Sequence, residues 1–160
     1  RRLEQDAPLD THGVPVVALA GTCMEAGKTA AACAIVSRMR HRGLAVHAFK
    51  ATGVSLRRDI LAMEDSGARR SMIFTDLGIV TTTAASGPAL TRTMLTEMAS
   101  GKPDVIVFEL GDGILGAYGV EAILASEDIG NADPRALTLA LGLAFVFMLA
   151  FTLGGMYQTA

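Results

Sequence analysis

Gly21-Thr22-Cys23-Met24-Glu25-Ala26-Gly27-Lys28-Thr29 is the stretch on which the reading of this chain turns. An apolar run, Val14 to Ala20, precedes it, and Ala30-Ala31-Ala32-Cys33-Ala34-Ile35-Val36 follows with the composition of a helix. A strand, a glycine-bounded loop ending in Gly-Lys-Thr and then a helix is the layout of a phosphate-binding loop. Glycine lets the chain curl so that successive N–H groups converge on an anion. The first turn of the next helix adds unpaired donors at its positive end. In such a loop Lys28 reaches the terminal phosphates and the Thr29 hydroxyl sits on Mg²⁺. One position departs from the strict spacing: Thr22 stands where the motif's first glycine falls, and Gly21 lies one residue earlier.

Outward from the loop, the pattern alternates. Lys28 to Arg42 reads as a helix with Ala32, Ile35, Val36 and Met39 on one face, stopped at Gly43. Leu44 to Phe49 reads as a strand ending at Lys50, and Asp59 to Ser66 as a short helix. Met72 to Thr75 is a short strand with Asp76 at its end, and Ser86 to Ala99 is a helix with Pro88 tolerated in its first turn. Val105 to Leu110 is a strong strand that runs into Gly111-Asp112-Gly113-Ile114-Leu115-Gly116, and Val120 to Ala125 is helical. Strands alternating with helices predict an α/β fold, an open parallel sheet flanked by helices. Ligands of such sheets bind beyond the C-terminal strand ends. Gly21, Lys50, Asp76 and Glu109 all fall at such ends and are expected to face one crevice.

The chain therefore divides into a linker or frayed start over residues 1–13, a nucleotide-binding domain over 14–135 and an apolar C-terminal segment over 136–160. The last segment carries no charged residue, and 136–154 is almost wholly apolar. As a helix those residues would span about 28 Å, close to the hydrocarbon thickness of a bilayer. Arg135 before it and Tyr157 after it stand where interfacial anchors stand. Two readings are open: an apolar C-terminal helix that anchors the chain in a membrane, or a buried helix or pair of strands that completes the core.

The bulk properties exclude some classes. With 160 residues and a formal charge of -2, the chain is one domain's worth and lacks the basic excess of a nucleic-acid binder. Arginine clusters at Arg38, Arg40 and Arg42, at Arg57-Arg58 and at Arg69-Arg70 read as solvated helix faces, with Arg57-Arg58 placed to touch an anionic substrate. The two cysteines, Cys23 and Cys33, form no CxxC pair, which fits a reducing, cytoplasmic setting. His12, His41 and His47 lack metal-ligand spacing.

Three stretches, taken together, resemble one family. The loop Gly21 to Thr29 is similar to that of dethiobiotin synthetase and its relatives, including the ATP-binding domains of cobyric-acid-type amide synthases, which begin Gly-Thr and end Gly-Lys-Thr at this spacing. Phe49-Lys50-Ala51-Thr52-Gly53 resembles the family's Phe-Lys-Pro…Gly segment. Val107-Phe108-Glu109-Leu110-Gly111-Asp112-Gly113 resembles its Val-Glu-Gly-Ala-Gly-Gly stretch. The three cover roughly residues 14–120. The resemblance implies a P-loop NTPase-like fold that uses ATP and Mg²⁺. Nucleotide would lie along Gly21, Thr22, Cys23, Met24, Glu25, Ala26, Gly27, Lys28, Thr29 and Ala30. It further implies Thr29 and Glu109 on the metal, with Asp59 or Asp76 as a further acidic group; of these Asp76 completes the expected set. Glu25, Lys28 and Lys50 are the expected catalytic residues, Glu25 near the substrate and Lys50 on its carboxylate or carbamate. Relatives often form homodimers. The family's aspartate and next threonine are Cys23 and Met24 here, and the proline after its lysine is Ala51.

Phosphoryl transfer asks for positioning and charge neutralisation rather than covalent chemistry. The expected activity is ATP- and Mg²⁺-dependent activation of a small carboxylate or carbamate, of the ligase kind. The competing expectation is a nucleotide-hydrolysing switch or partner-loading module with no small substrate, in which 51–58 and 111–119 are the moving loops.

Overall fold

The structure is a computed structural model and describes residues 9–126, 129 and 148–152. The elements run β1 (Val16–Gly21), α1 (Lys28–His41), β2 (Val46–Thr52), α2 (Arg57–Asp65), β3 (Arg70–Ile73), a 3-10 turn (Phe74–Leu77), α3 (Gly87–Ala99), β4 (Val105–Leu110), α4 (Val120–Leu124) and β5 (Met148–Thr152). The strands form one sheet in the order β3-β2-β4-β1-β5. The first four are all parallel, with β4 inserted between β1 and β2. This is the expected α/β architecture: β1, β2 and β4 are buried along nearly their whole length, as strands covered on both faces must be.

Side-chain alternation sorts the core into two layers. Val17, Leu19, Val46, Ala48, Val105 and Val107 face α1 and Met63 of α2. The intervening residues Ala18, Ala20, Phe49, Ile106, Phe108 and Leu110 face α3 and α4 through Leu90, Met94, Leu95, Met98, Val120 and Ile123. Phe49 and Phe108 are register partners on β2 and β4 and stack with ring centroids 4.8 Å apart and planes 3° apart. Because these rings point to the α3 side, their successors Lys50 and Glu109, also register partners, point to the α1 side.

Two boundaries differ from the sequence reading in ways that matter. Strand β2 does not stop at Phe49: it continues through Lys50 to Thr52, with an irregularity between Lys50 and Thr52 where the pairing passes to Leu110. Lys50 is thus a buried strand residue, held on one side by β4 and on the other by β3. Asp76 does not end a strand. It sits in the 3-10 turn after β3, where its carboxylate accepts a hydrogen bond from Ile73 N at 3.0 Å.

The apolar C-terminal helix expected over 136–154 lies mostly outside the described residues. The five that are described, Met148–Thr152, form a strand and not a helix, pairing antiparallel with β1 from Val17↔Thr152 to Gly21↔Met148. A strand there satisfies the backbone groups that β1 presents on the side away from β4. Among the described residues no helix is long and apolar enough to cross a membrane.

Candidate functional site

The C-terminal ends of β1, β2 and β4 meet the start of α1 and α2 around a cleft of about 240 Å³. Its walls include Glu25, Lys28 and Thr29 from the loop and α1, Lys50 and Asp59 from β2 and α2, and Glu109 and Asp112 from β4 and its loop. Met24, Val54, Leu56 and Arg58 form the rim.

The loop after β1 is shaped by its backbone. Gly27 has φ +81° and caps α1 without a side-chain hydrogen bond, and no acidic residue occupies the helix's first turn. The donors of that turn are therefore left to solvent or an anion. Three loops are pressed together beside it. A Cβ on Gly113 would stand 2.2 Å from the Thr22 carbonyl oxygen, and one on Gly111 would stand 2.2 Å from that of Thr52. Ile114 N donates to the Gly21 carbonyl at 2.8 Å, and Thr52 Oγ1 donates to the Gly111 carbonyl at 3.0 Å. The glycines of the 111–113 stretch thus serve close backbone approach.

Lys28 is only 4% exposed although it lies at a helix start, and its Nζ donates to the Cys23 carbonyl at 2.7 Å. Burial pushes its pKa below the usual lysine range, with Glu109 and Asp112 pulling the other way. Thr29 Oγ1 donates to Glu109 Oε2 at 2.9 Å. Glu109 is 3% exposed; burial raises its pKa above the usual carboxylate range, against the pull of Lys50, the Thr29 hydroxyl and Lys28. Lys50 and Asp59, 5% and 8% exposed, form a buried ion pair through Nζ and Oδ2. The outer oxygen of Asp59 faces the exposed Arg58 at 3.7 Å.

Of the residues expected in the crevice, Glu25, Lys28, Thr29, Lys50 and Glu109 all line it. Gly21, Ala26 and Gly27 build the loop, Thr22, Cys23 and Met24 stand exposed on it, and Ala30 lies in the first turn of α1. Asp76 is the exception: it pairs with Arg57 at 3.1 Å, away from the cleft walls, so the further acidic groups beside Glu109 are Asp59 and Asp112. The sequence reading missed the pairing of Lys50 with Asp59 and the rim residues Val54 and Leu56. Their signal was faint: two apolar residues in an otherwise polar loop, and an aspartate nine positions after a lysine.

The Thr29 hydroxyl and the Glu109 carboxylate already touch, and they are hard oxygen donors of the type Mg²⁺ prefers. No cluster of three or more His, Cys, Asp or Glu side chains suited to a metal occurs among the described residues. Magnesium on a nucleotide is held through one or two carboxylates plus phosphate oxygens, a donor set with which Glu109 and the Thr29 hydroxyl are compatible.

A parallel four-strand sheet flanked by helices, with a glycine-bounded loop between β1 and α1, is compatible with a P-loop-like α/β fold. The chain matches no family model and no curated protein. Its functional reading therefore rests on the site.

Proposed function

We propose that this chain is an ATP- and Mg²⁺-dependent enzyme that activates a small carboxylate or carbamate by phosphoryl transfer. The observation that carries the reading is the convergence of Lys28, Thr29, Lys50 and Glu109, from two strand ends and one helix start, on a single cleft. Bound Mg²⁺–ATP supplies the phosphoryl group and part of the charge neutralisation. Lys28 and the first-turn amides of α1 hold the phosphates, and a phosphate adds counter-charge to the partial compensation that Glu109 and Asp112 give Lys28. Thr29 Oγ1 and the Glu109 carboxylate hold the metal, which offsets the cost of burying Glu109 ionised. Lys50, the register partner of Glu109 on the next strand, orients the acceptor. An ionised carboxylate attacks without a general base: its oxygen bonds to the γ-phosphorus, ADP leaves, and an acyl or carbamoyl phosphate results.

The reading places the enzyme in the cytoplasm, where ATP is abundant and the free thiols of Cys23 and Cys33 stay reduced. The test is ADP release with Mg²⁺ and a panel of small carboxylic acids. Release that depends on one acid and stops in Lys28→Ala is the expected result. ATP turnover indifferent to every acid, or undiminished in Lys28→Ala, would overturn it; turnover that responds only to a protein partner would indicate a nucleotide-driven switch.

A further inference from the structure

We infer that the acceptor subsite is built for a zwitterion, a molecule carrying an ammonium group beside its carboxylate as an α-amino acid does. The inference rests on the reading above that Lys50 anchors the acceptor, and it adds a role for Asp59.

Lys50 is not a free cation waiting for a substrate anion. Its amine is in contact with Asp59, both side chains are buried, and both line the cleft. A simple carboxylate that took Lys50 would strip Asp59 of its partner in a place shielded from water. The remaining cation near Asp59, Arg58, stands 3.7 Å from the other oxygen on a side chain that is 79% exposed, where solvent screens it. Separating a buried pair to leave one member unpaired is strongly unfavourable. A zwitterion avoids that penalty: its carboxylate takes Lys50, its ammonium takes Asp59, and one buried ion pair becomes two with no charge left over.

The charge count of the cleft argues in the same direction. Three cations face four carboxylates before any polyphosphate arrives. A second, purely anionic ligand beside a nucleotide would add repulsion, whereas a zwitterion adds no net charge. Beyond the pair, three of the four rim residues are apolar: Met24, Val54 and Leu56 are 57%, 44% and 38% exposed at the mouth, beside Arg58. They suit an aliphatic side chain.

The test is calorimetric titration of the full chain with norleucine, hexanoate and hexylamine, each with and without Mg²⁺ and a non-hydrolysable ATP analogue. Norleucine is expected to bind at least about tenfold more tightly than either single-charge compound, because a site that pairs a buried polar group penalises a ligand lacking the partner. Asp59→Asn is expected to bring norleucine and hexanoate to near parity. Lys50→Met is expected to bring norleucine and hexylamine to near parity, and so reads the same subsite should the Asp59 variant not fold. Hexanoate equal to norleucine on the natural protein, no binding by any of the three, or a preference that survives in both variants would overturn the inference. Failure of the nucleotide analogue alone to bind would overturn the ATP reading and leave the norleucine preference standing, because the Lys50–Asp59 pair exists without nucleotide.

Discussion

Replacing Lys28 by methionine separates the two states of the phosphate loop. In the ligand-free protein Lys28 is buried with its pKa driven down, so the unfolded chain holds that proton more tightly than the folded one. The charged lysine therefore opposes folding at neutral pH, and the penalty fades only as pH rises through the lowered value. Its side-chain hydrogen bond goes to the carbonyl of the exposed Cys23, which water can satisfy instead. Methionine keeps the length of the stem and removes the charge, so ligand-free Lys28→Met is expected to melt no lower than the natural protein. The nucleotide-bound state moves the other way. At a nucleotide concentration about 100 times Kd, binding stabilises the natural protein by about 2.7 kcal/mol. For a chain of this size that is a rise in Tm of roughly 5–10 °C. Losing a charged hydrogen bond to phosphate costs about 1.5–3 kcal/mol, and the upper end of that range weakens binding about a hundredfold. The same ATP concentration then sits near the variant's Kd, and the rise shrinks to roughly 1–2 °C. Thermal melts at pH 7.5 with Mg²⁺, with and without ATP, measure both effects. A full ATP shift in the variant would refute the role of Lys28 in binding phosphate. A ligand-free variant that melts many degrees lower would show that the buried lysine supports the fold.

Three further outcomes follow from the same geometry. Because the Glu109 pKa is raised, Glu109 favours folding below the ordinary carboxylate range, and that contribution is lost as pH rises through its raised value; Glu109→Gln should therefore be at least as stable as the natural protein at pH 8, with a flatter pH profile, while Mg²⁺ no longer strengthens nucleotide binding. Melts from pH 4 to pH 9 decide this, and a variant that loses stability at pH 8 would contradict it. Gly113→Ala drives a methyl group into the Thr22 carbonyl and should cost about 1–3 kcal/mol and reduce the ATP shift, which urea unfolding and the same melts report; an alanine variant with natural stability would deny the close packing of the two loops. Asp76→Ala removes an exposed pair with Arg57 and a turn hydrogen bond, so it should cost about 1 kcal/mol and leave Mg²⁺-dependent nucleotide binding intact; a tenfold loss of Mg²⁺-dependent affinity would put Asp76 on the metal after all.

The sheet was legible because its evidence is local. Val16 to Gly21 and Val105 to Phe108 are apolar runs within strands, and the helix after Gly27 is rich in alanine, so periodicity and propensity agree. The end of β2 was not legible. Lys50 and Thr52 are polar, and pairing with distant strands, with Ile73 on β3 and with Glu109 and Leu110 on β4, keeps that segment extended. Asp76 shows the same limit from the other side. A carboxylate after a short apolar run reads as a crevice residue, but a turn hydrogen bond to Ile73 and the arginine at the start of α2 claim it. The order β3-β2-β4-β1 cannot be read from a single pattern either, since adjacency is a tertiary choice. It nevertheless determines the site, because inserting β4 between β1 and β2 brings Glu109 beside both Leu19 and Lys50.

That insertion also explains why the cleft carries its charges in costly forms. Lys28 and Glu109 are both buried, and burial moves each toward its neutral state, lowering the lysine and raising the carboxylate. A protein selected for stability alone gains nothing from two such groups, because apolar residues of similar volume would pack without the desolvation cost. Under the proposed function the bound state adds an anion against Lys28, beyond the partial compensation from Glu109 and Asp112, and a divalent cation against Glu109 and the Thr29 hydroxyl, beyond that from Lys50 and Lys28. A metal–polyphosphate presents those two charges side by side, and Lys28, Thr29 and Glu109 line one cleft. The Lys50–Asp59 pair differs because it is neutral as a unit, and neither partner's charge depends on a ligand for compensation. On the proposed function, a metal–anion ligand completes the Lys28–Glu109 half of the cleft, and the Lys50–Asp59 half opens to a ligand that restores both of its charges.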